Sequence, residues 1–419
     1  MRKIILSACL FLCTIAACAQ VTSSTGKPYT NFPGIDYVFM FNGITSSTDI
    51  TYNGTGTNIN WYKFSDPTTP ISTGTKEIFG PEDATGYILD VDGKQTTIWV
   101  IDYKNYLPVA ATTFEPDNNS ASQCKDVTLK INPDMPLLSY KTKDNISHSI
   151  PRNCTINYNT LHWGGTAWQT KDTTLAITFP ASQLSVPAPY CTTTFTLSGD
   201  QYATDLGIAF TIKSSSYTPV AVICKPTTNV TSREHDKNNE ANAPSSALPI
   251  DFSAPIDVQF LSNANEPITK FYNWTIYNKD NKLLINRTDK DHRYTFTEAG
   301  SYKVKVTVSN ETCSYSDSLT VNVTESAIYV PDVFTPNGDG YNDEFRVAYK
   351  SLISFQCWVY NRWGRQVYYW NDPTKGWDGN INGKKAVPGP YFYVIKAIGS
   401  DKKVYKLKGD INLLREVGK

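Results

Sequence analysis

Between positions 302 and 309 the chain alternates without a break, with Tyr302, Val304, Val306 and Val308 on one side and Lys303, Lys305, Thr307 and Ser309 on the other. A period of two sends the two sets to opposite faces of an extended strand, whereas a helix would scatter them around its circumference. The same signature recurs in Val127-Thr128-Leu129-Lys130-Ile131 and in Thr193-Thr194-Phe195-Thr196-Leu197. Turn-formers such as Asn53-Gly54 and Asp92-Gly93 separate the apolar runs. The pattern therefore predicts an all-β protein. Its 53 aromatic residues exclude an extended disordered chain, and 419 residues suffice for about three or four modules of ~100–150 each. Thirty-nine basic residues balance 39 acidic ones, so no global positive field draws the chain to nucleic acid.

Composition divides the chain further. Arg2-Lys3, the apolar run Ile4–Ala17 and small residues before Gln20 predict a signal peptide over 1–19. Ala17-Cys18-Ala19 suits ordinary cleavage, and Ile15-Ala16-Ala17-Cys18 also reads as a lipobox that would acylate Cys18. Residues 20–107 read as a first sandwich. Asp83-Ala84-Thr85-Gly86-Tyr87 resembles the tyrosine corner of immunoglobulin-like domains, with Trp61 in the place of their core tryptophan and Leu89 where their second cysteine would stand. Residues 108–228 form a second β-rich module. The polar stretch 229–247 reads as a linker, because it offers too little apolar surface to offset its ordering entropy. Residues 248–324 hold the alternating strand and Phe271-Tyr272-Asn273-Trp274-Thr275-Ile276, an arrangement that resembles the PKD family of sandwiches.

Six cysteines follow the signal sequence, an even count that favours disulfides in an exported chain. Cys124, Cys154, Cys191 and Cys224 are expected to staple the second module with two bridges, while Cys313 and Cys357 either pair or stay as buried thiols. Motifs for catalysis are missing: there is no H-E-x-x-H, G-x-S-x-G, P-loop or C-x-x-C. Carboxylates such as Glu82, Asp83, Asp90 and Asp92 could work as a glycosidase pair, and a solvated loop is the simpler expectation. Asn337, Asp339 and Asp343 sit at i, i+2 and i+6, as in calcium loops, but Ala348 stands where an EF-hand needs Glu. Calcium is a candidate ligand of this loop; no other cofactor is expected.

The last ~90 residues are more specific. Val330-Pro331-Asp332-Val333-Phe334-Thr335-Pro336-Asn337-Gly338-Asp339-Gly340 is followed by Val359-Tyr360-Asn361-Arg362-Trp363-Gly364-Arg365, Gly376-Trp377-Asp378-Gly379, Pro388-Gly389-Pro390-Tyr391-Phe392-Tyr393 and Lys408-Gly409-Asp410-Ile411-Asn412-Leu413. In this order they resemble the gliding motility-associated C-terminal domain of Bacteroidetes, the type B sorting domain of the type IX secretion system, over about 328–416. The fold expected is thus a tandem of Ig-like and PKD-like β-sandwiches ending in a sorting domain at 325–419. The resemblance implies export through the periplasm to the cell surface or medium, with the type IX translocon and a PorP/SprF-type outer-membrane protein as partners.

A domain recognised after folding must present a surface patch. Residues 325–419 carry 14 Lys/Arg against 10 Asp/Glu. Arg362, Trp363, Gly364, Arg365, Lys384, Lys385 and Arg415 are the candidate docking residues, since Arg and Trp are frequent interface anchors. The function expected is a non-enzymatic surface or outer-membrane-associated interaction protein, serving secretion, gliding or adhesion. The alternative is a secreted glycan-binding protein or hydrolase with its active module in 30–228, which an exposed row of Trp99, Trp163 and Trp168 would favour.

Overall fold

The computed structural model describes residues 20–117, 123–181, 184–233, 239–245 and 251–415. The signal-peptide expectation and Cys18 lie outside the described residues. The architecture is all-β, and the chain divides into two units, one formed by 1–161 with 170–219 and the other by 162–169 with 220–419.

In the first unit, a six-stranded sheet runs in the order Lys27–Tyr29, Tyr37–Phe41, Lys94–Asp102, Thr85–Val91, Ile59–Lys63, Ser72–Thr73. A three-stranded sheet of Val21–Thr22, Asp49–Tyr52 and Glu77–Phe79 covers one face, enclosing Phe39, Phe41, Trp61, Leu89 and Val100. Val38, Met40, Trp99 and Ile101 on the other face pack with Leu138, Tyr140, Ile150 and Tyr202 from later in the chain. Burial on both sides explains why Tyr37-Val38-Phe39-Met40-Phe41 is continuously apolar instead of alternating. The tyrosine corner forms: the Glu82 N–H donates to the Tyr87 hydroxyl at 2.8 Å.

The second module pairs a three-stranded sheet (Thr113–Pro116, Asp126–Asn132, Leu184–Pro187) with a four-stranded one (Trp168–Phe179, Arg152–Trp163, Thr193–Ser198, Thr211–Tyr217). A buried ionic cluster fastens it to the first. Arg152 Nε donates to Asp200 Oδ2 at 2.6 Å, Arg152 Nη2 donates to the Tyr103 hydroxyl at 2.8 Å, and that hydroxyl donates to Asp200 at 2.7 Å. Asp200 also caps the short helix Gln201–Asp205 through the Ala203 N–H.

In the second unit, the strands Thr227–Val230, Ile256–Leu261 and His292–Phe296 face a five-stranded sheet of Asp251–Ser253, Ser314–Thr324, Gly300–Ser309, Phe271–Tyr277 and Leu283–Arg287. Tyr302, Val304, Val306 and Val308 point inward as the alternation requires, against a fully buried Trp274. Part of the stretch expected to be a linker is tied down. Val230 ends a strand paired to Val258, Arg233 pairs with Glu240 and donates to Pro255 O, and the Ala241 N–H donates to Tyr349 O. Ladder bonds and an ion pair hold these polar residues, and neither needs apolar side chains.

The last module is built on the sheet Val333–Phe334, Val404–Leu413, Gly389–Gly399, Leu352–Tyr360, Gln366–Trp370. Phe334, Phe345, Cys357, Val359, Ile395, Ile411 and a fully buried Trp377 form its core. Gly376 is required by a close approach, because a Cβ there would lie 2.7 Å from Phe345 O. This module is wired to the preceding one. Ser351, at φ +52° and fully buried, accepts from the Ala254 N–H at 2.9 Å and donates to Thr324 O at 2.6 Å.

The two-bridge expectation for the second module is corrected. Cys124 and Cys313 are disulfide-bonded, while Cys154, Cys191, Cys224 and Cys357 are free thiols. Cys154 and Cys224 are buried, behaving as small apolar side chains, and burial pushes each thiol up to about 12. An even cysteine count does not distinguish such packing residues from bridging ones.

Candidate functional site

Two turns at one end of the last module's main sheet create its most chemically distinctive surface. The strand Leu352–Tyr360 ends at Asn361, whose Oδ1 accepts from the N–H groups of Trp363 (3.1 Å) and Arg365 (3.0 Å). The Gly364 N–H donates to Asn361 O at 3.0 Å, and Gly364 sits at φ +77°, which a glycine adopts without strain. This self-closed turn lifts its middle residues off the sheet. Trp363 is 77% exposed, and the Arg362 guanidinium lies 4.7 Å from its ring centroid.

Opposite stands the hairpin Asn380–Ile381/Lys384–Lys385. Asn382 and Gly383 both have positive φ, as an Asn-Gly type I′ turn demands, and the two lysines that follow are exposed. Between turn and hairpin lies a cavity of about 330 Å³ lined by Arg362, Trp363, Lys384, Lys385 and, as its apolar wall, Val387 and Tyr391. Burial pushes the Tyr391 phenol up, against the pull of the Arg362 and Arg415 charges. Among the described residues, Arg362, Lys384 and Lys385 make no ion pair. The groove thus gathers positive charge beside exposed aromatic and apolar surface.

The structure brings Arg362, Trp363, Lys384 and Lys385 to one cavity. Arg365 is exposed at the far end of the Asn361 turn and does not line it. Arg415 is half-buried, with Nη1 donating to Ala386 O at 3.2 Å and Nη2 reaching Gly379 O at 3.5 Å, so it braces the hairpin from below. Trp377 lies in the core, its indole N–H donating to Asn380 O at 2.8 Å. Sequence reading missed the apolar wall, although Pro388-Gly389-Pro390-Tyr391 was in view as a motif.

The other candidates are occupied locally. Asp343 accepts from the Gly338 N–H (2.7 Å) and Gly340 N–H (2.8 Å), and Asp339 accepts from the Tyr341 N–H, so the Asn337–Asp343 loop closes on its own amides. Among the described residues no group of three or more His, Cys, Asp or Glu is placed to hold a metal. Glu82 pairs with Lys63, Asp83 accepts from the Asp102 N–H, Asp90 from the Gly93 N–H and Asp92 from the Asn58 N–H. Trp99 is buried in the first unit. Trp163 and Trp168 stack edge to face, and the Trp168 indole N–H donates to Asn263 O at 2.8 Å. The stacking row that a glycan site needs does not form from these three.

Comparison with known proteins bears directly on the domain that carries the groove. Residues 328–413 match the family model of the CHU_C type IX secretion signal domain. Such a signal implies recognition by the type IX machinery and export to the cell surface or extracellular space. Among the described residues, no helix is long and apolar enough to cross a membrane. Residues 116–214 match a fibronectin type III domain, in agreement with the three-on-four sandwich found there. No curated protein matches the chain. Among solved structures, a tetra-tandem repeat from the extending region of a large adhesion protein is 10% identical, covering 90% of this chain and 98% of its own, with a TM-score of 0.22. Sidekick-1 immunoglobulin domains 1–5 are 11% identical, covering 93% and 81%, with a TM-score of 0.24. Dimeric latent PorU from Porphyromonas gingivalis is 8% identical, covering 77% and 35%, with a TM-score of 0.16. Scores this low carry no argument about this chain.

Proposed function

We propose that this chain is a non-catalytic interaction protein of the cell surface or outer membrane, and that the Arg362–Lys385 groove of its signal domain is where the secretion machinery docks. The observation that carries the reading is the groove's chemistry: three cations without ion-pair partners among the described residues, beside a tryptophan 77% exposed. Trp and Arg are each frequent energetic anchors of protein interfaces, and a guanidinium over an indole ring is attracted to it. A PorP/SprF-type outer-membrane protein is the partner we favour, through the family the signal domain resembles.

Exported full-length chain is measured by protease accessibility on intact cells. Reversing the charges (R362E/K384E/K385E) is expected to strand the protein in the periplasm while its thermal unfolding is unchanged. Delivery at the normal level would remove the groove from the sorting process. The front modules are proposed as the effector portion; co-purification from outer membranes identifies what they hold.

A further inference from the structure

The signal domain carries a second unusual surface, the outer face of its main sheet. The register defines it. Trp358 pairs with Tyr369 on one side and Val394 on the other, and Val394 pairs in turn with Lys408. Tyr360, Phe392 and Asp410 make the next row; Gln356, Lys396 and Lys406 the row on the opposite side; Ser354, Ile398 and Val404 the last. Their neighbours in sequence, including Cys357, Val359, Ile395, Ala397 and Ile411, point into the core. The solvent face of an antiparallel sheet ordinarily reads polar. Here Tyr369 is 41% exposed, Phe392 46%, Ile398 39% and Val404 60%.

Charge on this face is one-sided as well. Lys396, Lys406 and Lys408 stand against Asp410 alone, and Lys396 Nζ sits 5.6 Å from the centroid of the Trp358 ring. The face adjoins the groove at the strand ends. Exposed Pro390, which lines the groove, lies two positions before Phe392 on the same side of its strand, whereas Tyr391 between these two points into the core. Tyr360 likewise precedes Asn361, another lining residue. Seven positions along the strand and four strands across span roughly 20 by 15 Å. That is about 300 Å², well below the ~800 Å² per partner of a stable interface. The face alone is too small for a stable complex; with the groove added it matches the smaller footprint of a transient encounter, which a sorting step needs.

We propose that the outer face and the groove are one continuous docking surface for a folded protein that presents Asp and Glu side chains around an apolar centre. This rests on the docking role given to the groove above. Positive charge flanking aromatic surface selects an acidic partner and repels basic ones, which is how rim charges confer specificity.

The test uses full-length chain in its own cells, again read by protease accessibility, with thermal unfolding of purified protein as the fold control. The variant K396E/K406E/K408E is expected to lower surface delivery at least about ten-fold, Arg at the same three positions to restore it, and F392S to lower it without changing the melting transition. Lys375→Glu, at an exposed position that belongs to neither surface, controls for net charge. Normal delivery of K396E/K406E/K408E overturns the inference while leaving the groove reading intact if R362E/K384E/K385E is still retained. Loss in the face variants with normal delivery of the groove variant would instead refute the groove. Lysine-dependent co-sedimentation of the purified chain with phosphatidylglycerol vesicles would reassign the face to a membrane and overturn the protein partner.

Discussion

Removing the carboxylate of Asp200 tests what holds the first unit together. Arg152 is 1% exposed and gives its guanidinium to Asp200, the Tyr103 hydroxyl, Tyr106 O and Pro136 O. Asp200→Ala leaves that charge buried with neutral acceptors only. Orphaning one member of a buried pair costs about 3–5 kcal/mol, and losing the cap of Gln201–Asp205 adds ~1 kcal/mol when counted separately. The two share one network and do not simply add, so the expected loss is about 4 kcal/mol. At 1.4 kcal/mol per decade, amide exchange governed by opening of this unit accelerates by roughly a thousand-fold. Hydrogen-exchange mass spectrometry on the full chain reads it in peptides from Lys94–Asp102 and Arg152–Trp163, with Gly300–Ser309 as an internal reference. The double variant R152M/D200A is expected to recover most of the loss, because it removes the stranded charge. An acceleration below about ten-fold in Asp200→Ala, or no recovery in the double variant, would refute the argument.

Three further outcomes follow from the geometry. Asp401 is partly desolvated, yet hydrogen bonds from Ser326 and from the Lys403 N–H hold its carboxyl below the ordinary carboxylate value. A depressed folded pKa contributes stability above the unfolded value that is lost as pH falls through the folded one, so the signal domain should weaken below about pH 4, and Asp401→Asn should abolish that component in acid-unfolding curves. Chain beginning at Gln20 and unfolded without reductant should take up a thiol reagent at four cysteines by mass spectrometry, and at six after reduction; Cys154, Cys224 and Cys357 should be unreactive in the native state. Calcium titrated calorimetrically to millimolar levels should give no heat, since the Asp343 carboxylate already accepts from two loop amides; a stoichiometric heat would show the loop opening around the ion.

How much was legible in the sequence follows a physical division. Period-two alternation at 302–309, the tyrosine corner at Tyr87 and the turn chemistry of Asn53-Gly54 and Asp92-Gly93 are local properties, fixed by backbone sterics and side-chain polarity over a few residues. They gave the all-β class, the core tryptophan Trp61 and the motifs of the signal domain. Distance along the chain hid the rest. Which cysteines bridge depends on which thiols the folded chain leaves within reach of each other, so an even count misassigned Cys154, Cys191 and Cys224. Arg152, Asp200 and Tyr103 carry no pattern in sequence, being up to 97 residues apart, yet they share one buried ionic cluster. The outer face of Trp358, Tyr369, Phe392 and Lys406 is likewise invisible until strand register aligns four segments side by side. Local rules determined which strands form; long-range pairing alone decided which side chains became neighbours, and the surfaces proposed for docking belong to that second category.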